Sequence, residues 1–250
     1  LFDEAWEAHD WECIAALFGP GYPLIDRRAI ALLELERGPF LESMRPAFER
    51  LKSHHTQELL ATRGDRLALF RVVFHGAGGA VGPSEVEWLE LDQVDEHGLY
   101  EVGVMLDARD LDAAYAELGE RYAAGEGARY PYARAWAQPV ATWDWDALAA
   151  QIAPDHVLHD HRAFGWETTH GVAGIVDIFK SLVELAPDAR VRTDHFTMSA
   201  RGAFMVGAWV GTREGGTFEA PRIGVQEFDD AGRWRRLDLY DPGQVEQARA

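Results

Sequence analysis

A single cysteine, Cys13, and only two lysines, Lys52 and Lys180, occur in the 250 residues of this chain. One cysteine cannot close an internal disulfide, so no covalent staple is expected; a reducing cytoplasm is compatible with this, and a cytoplasmic location is the expectation. Cys13 falls on the apolar face of a helix predicted to start at Asp10, where a thiol acts as a small buried hydrophobe. No run of 18 apolar residues and no signal-peptide pattern occur, so neither a spanning helix nor secretion is expected. P-loop, nucleophile-elbow, zincin and zinc-finger spacings are also missing. The stretch Gly76-Ala77-Gly78-Gly79-Ala80-Val81-Gly82 fails the dinucleotide spacing. Pro83 and a strand pattern follow it where a helix is required, so it reads as a hairpin loop. Basic residues number 24 against 42 acidic, a net charge of −18 that repels both nucleic-acid phosphates and an anionic membrane face. Neither partner is expected. The preference for Arg over Lys points to a GC-rich bacterial genome, and the start at Leu1 instead of Met to a piece of a larger protein.

What the chain does have is a copy of itself. His9-Asp10-Trp11-Glu12-Cys13-Ile14 returns as Trp143-Asp144-Trp145-Asp146-Ala147-Leu148, 134 residues on. The same shift pairs Pro20 with Pro154, Asp26 with Asp160, Arg28 with Arg162, Asp95 with Asp229, Gly98 with Gly232 and Asp107 with Asp241. A match at both ends of a unit of about 110 residues is a duplicated domain, not a short solenoid repeat. Between those ends Leu67–Val73 matches Phe204–Val210 at a shift of 137, as loop-length changes would produce. Each half then serves as a control for the other: shared residues report the fold, and polar residues present in one half report chemistry.

In the second unit Asp144 caps a helix through Ile152, after a short helix over Tyr132–Ala141. Asp155–Ala163 alternates as a strand, with an extended piece near Thr168. Gly171–Ala186 carries Val172, Ile175, Val176, Phe179, Leu182 and Val183 at helical spacing up to Pro187. Strands follow at 189–200, 202–213, 217–229 and 233–240. The first unit repeats the order: a helix Asp10–Phe18, a strand near Pro23–Ile30, a helix Pro39–Lys52, strands near 55–62, 66–75, 85–95 and 99–106, and a closing helix in 107–124. Gly125-Glu126-Gly127 links the units, dividing the chain into domains 1–124 and 125–250. The expected class is α+β: in each unit a curved antiparallel sheet with helices on its concave side.

His159-Asp160 closing the first strand, Gly171-Val172-Ala173-Gly174-Ile175 opening the long helix and Asp238-Leu239-Tyr240-Asp241 closing the last strand resemble the nuclear transport factor 2-like superfamily, in particular its SnoaL-like polyketide-cyclase branch. The resemblance implies two cone-shaped domains packed as an internal pseudo-dimer. It also implies an aspartate at the Asp160 position that shuttles a proton in ketosteroid isomerases, and one at the Asp238 position that helps activate water in limonene-epoxide hydrolases. The superfamily includes enzymes, binding modules and dimerisation domains, so the fold alone does not choose among them.

Asp160 and Arg162 share the strand face of Leu158. A carboxylate entering an apolar cone is raised in pKa and becomes a usable base, whereas an adjacent Arg lowers it again. Because Asp26 and Arg28 repeat the pair, mutual satisfaction is the competing reading. On the last strand Trp234, Arg236, Asp238 and Tyr240 alternate onto one face where unit one has Tyr100, Val102, Val104 and Leu106. An apolar face in one copy suggests an internal face in both, which puts Asp160 and Asp238 at one pocket and leaves unit one degenerate. Arg162, Trp166, Trp209, Arg236 and Tyr240 complete the candidate ligand set, Trp166 and Trp209 because unit one offers no aromatic equivalent. His156, His159, His161 and His170 lack acidic or Cys companions at ligand spacing, so no metal and no organic cofactor is expected. The favoured function is binding of a hydrophobic small molecule, as a regulatory module of a larger bacterial protein. The alternatives are a cofactor-independent cyclase, isomerase or epoxide hydrolase acting through Asp160 or Asp238, with Arg236 or Tyr240 stabilising oxyanion charge, and a solid assembly domain.

Overall fold

The structure, a computed structural model, describes residues 1–50, 52–78, 81–130, 133 and 143–249. The helix expected over Tyr132–Ala141, Ala133 apart, and the hairpin tip at 79–80 lie outside the described residues. The chain divides into two compact units, Leu1–Leu118 and Gly119–Ala250.

Unit one contains α1 (Phe2–Glu7), α2 (Trp11–Leu17), β1 (Pro23–Asp26), β2 (Leu33–Glu36), α3 (Arg37–Arg50), β3 (Lys52–Arg63), β4 (Leu67–Gly78), β5 (Val81–Val94), β6 (Tyr100–Asp107) and most of α4 (Leu111–Ala124). Its strands are ordered β2-β1-β6-β5-β4-β3. In unit two α5 (Trp145–Ala150), β7 (Ile152–Asp160), β8 (Thr169–His170), α6 (Gly171–Leu185), β9 (Arg190–Met198), β10 (Gly202–Arg213), β11 (Gly216–Phe228), β12 (Trp234–Tyr240) and α7 (Val245–Arg249) are arranged with the strand order β9-β10-β11-β12-β7-β8. The sheets are mixed, not wholly antiparallel as expected: β1 runs parallel to β6 and β7 parallel to β12. A parallel pair needs a long crossover, and the helix and strands between the first and last strand of each unit supply it. The sequence pattern did not reveal α1, β2 or α7. Each is short, and β2 (Leu-Glu-Leu-Glu) lies largely exposed.

Local chemistry explains why the elements start and turn where they do. Asp10 caps α2 by accepting the Cys13 N–H at 2.9 Å, and Asp144 caps α5 by accepting the N–H groups of Asp146 and Ala147 at 3.1 and 2.9 Å. Each cap is worth about 1 kcal/mol. In the hairpin after β5, Asp95 accepts from the backbone of His97 and Leu99; after β11, Asp229 accepts from Ala231 and Arg233.

In unit one, Trp6, Ile14, Phe18, Tyr22, Leu24, Phe40 and Phe48 pack α1–α3 on one face of the sheet. The other face buries Leu69, Leu89, Leu91 and Val104 completely. Helix α4 lies on that second face: Arg27, just past β1, bonds Glu117 at 2.9 and 3.2 Å, and Arg63 lies 6.0 Å over the Tyr115 ring. In unit two, Ile152, Leu158, Ile175, Val176, Leu237 and Leu239 form the core under α6, and Trp209 with Ala186 and Ala189 forms a second cluster against Phe179 and Leu182.

Candidate functional site

Paired residues on neighbouring strands share a face, and in unit two this decides which side chains can meet. Leu239 pairs with Asp160, and Asp238 with His159. Leu237 and Leu239 lie in the core under α6, so Asp160 is on the helix-covered face while Asp238, one residue off, is on the opposite face. The expected convergence of Asp160 and Asp238 on one pocket therefore does not occur. A register shift between Trp234 and Arg236 explains part of the error. The extra residue turns Trp234 toward the α6 core and leaves Arg236, Asp238 and Tyr240 on the other side. Unit one has the same irregularity between Tyr100 and Val102, so Val104 and Leu106 are buried on the α4 side of its sheet, not in the cup under α1–α3.

Asp160 is fully enclosed and fully engaged. Arg162 donates to it from Nε at 2.8 Å and Nη2 at 2.7 Å, and the backbone N–H groups of Arg162 and Trp166 donate at 3.2 and 2.9 Å. The turn that delivers Trp166 passes so close that a Cβ at Gly165 would lie 2.5 Å from the Asp160 carboxyl carbon, so only glycine fits there. Burial pushes the Asp160 pKa up, but the Arg162 guanidinium and the two N–H groups outweigh it and hold the carboxyl below its ordinary value. Asp160 is thus an anchor whose charged form is favoured and whose oxygens are occupied, not the raised-pKa base expected. Asp26 and Arg28 make the same bidentate pair in unit one, at 2.9 and 2.6 Å.

The uncommitted charge on this face belongs to a residue that sequence reasoning passed over. Gly224 pairs with Leu239, so Arg222, two residues earlier on β11, shares the α6-covered face. It is buried and stacks 5.0 Å over the Trp209 ring. Among the described residues no carboxylate or carbonyl accepts from its guanidinium; the nearest anion, Asp160, is spent on Arg162. Burial, and then repulsion from Arg162, push the Arg222 pKa down, only partly offset by Asp160. Beyond Trp209 the aromatic stack continues to Trp143 (5.5 Å, 18°) and Trp145 (5.4 Å, 10°), ending under the Lys180 ammonium at 5.8 Å. Phe179 of α6 braces both Trp143 and Trp209. Trp166 stands apart from this column, under Arg162 at 5.1 Å. The strand register also corrects the reading of Trp209: it pairs with Ala220 as Phe74 pairs with Val86, so unit one does hold an aromatic at this position.

On the opposite face Asp238 accepts from Arg236 (Nη2 2.9 Å, with Nε 2.6 Å from the second oxygen) and contacts His161 Nε2 at 2.7 Å. Tyr240 stacks on His161 at 4.6 Å. Burial raises the Asp238 pKa, but Arg236 and His161 bring it below its ordinary value. Burial and the Asp238 charge raise that of Tyr240. Among the described residues no three His, Cys, Asp or Glu side chains are grouped so as to hold a metal ion, and no helix is long and apolar enough to cross a membrane.

Residues 133–237 match the SnoaL-like domain family. No curated protein is similar enough to match the chain. Solved structures with some likeness include a Mycobacterium tuberculosis protein in complex with estradiol-17beta-hemisuccinate, 16% identical over 41% of this chain and 84% of its own, TM-score 0.37. A Catenulispora acidiphila protein with a ketosteroid isomerase-like fold, in complex with trimethylamine, is 18% identical over 44% and 81%, TM-score 0.36. A computationally designed 17-OHP binder is 14% identical over 42% and 84%, TM-score 0.37.

The SnoaL-like match covers Asp160, Arg162, Trp166, Trp209, Arg222 and Arg236, and stops one residue before Asp238. Unit one differs from its expected apolar lining. Along β5, Trp88, Glu90 and Asp92 stand on the face turned to α1–α3, at the places that Arg222, Gly224 and Gln226 hold in the SnoaL-like unit. The signal was in the sequence: the alternation Trp88-Leu-Glu90-Leu-Asp92 buries its leucines on the α4 side and so must turn its carboxylates into the cup.

Proposed function

We propose that the SnoaL-like unit binds a small hydrophobic molecule bearing one anionic group, with Arg222 as counter-ion and Trp209, Trp166 and Arg162 around it. The observation that carries this reading is a buried, charged guanidinium with no acceptor among the described residues. Leaving a charge unpaired in a core costs several kcal/mol, about what an incoming carboxylate would return. The adjoining indole column makes the surroundings apolar and aromatic, suited to packing against an aromatic or polycyclic body. This is binding without acid–base chemistry: Asp160 is neutralised by Arg162, and Asp238 faces the other way. In this reading the chain is a tandem pair of SnoaL-like units acting as a regulatory module of a larger bacterial protein. The parallel capping, hairpin and Asp–Arg geometry in the two units supports the duplication.

A thermal-shift comparison of 2-naphthoate with 2-naphthylmethanol tests it. The carboxylate should raise the melting temperature of the wild type and the alcohol should not. Arg222→Met should lose the effect. Equal shifts from both compounds, or an undiminished shift in Arg222→Met, would remove Arg222 from the site.

A further inference from the structure

We propose that unit one holds a small organic ammonium ion between the carboxyl groups of Glu90 and Asp92 and the phenol groups of Tyr22 and Tyr100. The register of β5 and β6 sets the geometry. Asp92 pairs with Gly103 and Glu90 with Met105, so both carboxyl groups stand side by side on the face under α1–α3. Tyr22, 2% exposed, enters over the same spot: a Cβ on Gly103 would lie 2.1 Å from its hydroxyl oxygen. Only glycine at 103 leaves room for that hydroxyl, which is thereby fixed beside Asp92. Among the described residues neither the Tyr22 hydroxyl nor the Asp92 carboxyl has a hydrogen-bond partner, and Glu90 has one, the Trp88 indole N–H at 2.9 Å. Both carboxyl groups are deeply recessed, yet each residue keeps some accessible surface.

The chemistry of this lining selects the ligand. Two carboxyls and two phenols present acceptors and negative ring faces, with Tyr100 stacked on Phe18 at 5.0 Å and Tyr22 edge-on to Phe18 at 4.8 Å. Carboxylate plus aromatic faces is the combination that holds ammonium groups. A hard metal ion would need more oxygen ligands than are gathered here. Among the described residues the cation acting on Glu90, Arg28, is committed to Asp26 at 2.6–3.2 Å. The charged and titratable groups around the pair are Asp26 and Arg28 at the end of β1, Asp107 at the end of β6, Tyr22 and Tyr100, and Asp3 in α1. Burial raises both carboxyls above their ordinary values, opposed at Glu90 by the Trp88 N–H and Arg28, and Asp92 rises further beside Glu90. An ammonium ion between them would favour the charged forms and bring both down again. In the SnoaL-like unit the equivalent positions are Gly224 and Gln226, which offer no anion.

The test uses the full chain and benzylammonium, with benzyl alcohol as the neutral counterpart. Titration calorimetry at pH 7 should show benzylammonium binding, and no comparable binding of the alcohol. Asp92→Asn should weaken the ammonium by about tenfold or more, one charge-assisted contact. Tyr22→Phe, which keeps the ring packing, should weaken it less. Carboxyl-carbon NMR of the unliganded wild type should show both groups titrating above the ordinary carboxylate range, and benzylammonium should lower both midpoints. Indistinguishable binding of amine and alcohol, or ordinary acidic titration of both Glu90 and Asp92, would overturn the proposal.

Discussion

The two units share their scaffold to the level of single hydrogen bonds and differ where a ligand would sit. Asp26–Arg28 and Asp160–Arg162 form the same bidentate pair, and Asp107 and Asp241 accept from the backbone of Ala29 and Ala163, each at 3.0 Å. The fifth strand, by contrast, inverts its charge. Unit one places Trp88, Glu90 and Asp92 on the helix-covered face, and unit two places Arg222, Gly224 and Gln226 there. Groups present in both copies, even buried ionic ones such as Asp160, thus serve the fold. In the proposed reading, groups present in one copy carry the chemistry.

The largest expected effect tests the shared part. Asp160→Asn and Asp26→Asn each break a buried ion pair, and each should cost about 3 kcal/mol in urea unfolding, since the partner Arg is left buried and unpaired. A loss confined to one unit would break the equivalence. Asp160 has its pKa lowered, so its contribution is complete above the ordinary carboxylate range and is lost as pH falls through its depressed folded value.

Next comes a difference between the copies along the first strand, where Tyr22, just before β1, corresponds to His156 in the middle of β7. His156 is completely buried, and among the described residues neither ring nitrogen has a partner. Burial lowers its pKa from 6.5 to about 4, with Asp155 opposing. The unfolded chain binds the proton more readily, so stability falls as pH drops from about 6.5 toward 4, by about 3 kcal/mol at most. His156→Leu should flatten the urea-midpoint profile in that window; an unchanged profile would assign the pH dependence elsewhere.

Arg222→Met should then stabilise the unliganded protein by about 1–2 kcal/mol, because an unpaired buried charge is replaced by an apolar chain of similar length. Loss of stability instead would reveal a partner for Arg222. The smallest effect belongs to the outward cluster. His161→Gln removes a half-exposed contact to Asp238 and should shift the urea midpoint by about 0.5 kcal/mol or less.

Much of this was legible in the sequence, for physical reasons that also mark the limits. The caps at Asp10 and Asp144, the Asp-rich hairpins and the apolar spacing of α6 are local, and local chemistry writes itself into adjacent residues. The face assignments of Asp238 and Tyr240 failed because one bulge residue, Arg235, reverses the alternation on which a strand reading depends. Arg222 was passed over because a lone arginine on a strand resembles any exposed one; only the register with Leu239 and the stack on Trp209 place it inside. The sequence shift of 137 puts Trp209 two residues out of step with its pairing equivalent Phe74, since the offset of β4 and β10 is set by strand pairing. The carboxylates of unit one are hard to place from sequence because the alternation Trp88-Leu-Glu90-Leu-Asp92 fits equally a strand with its polar face in solvent; the register with Gly103 and Met105 turns it inward.

Titration calorimetry of 2-naphthoate into wild type and Arg222→Met tests the central claim most directly. Saturable binding to the wild type that disappears in the variant, with 2-naphthylmethanol inert toward both, is the predicted result. Binding of the naphthoate that survives the loss of Arg222 would contradict it.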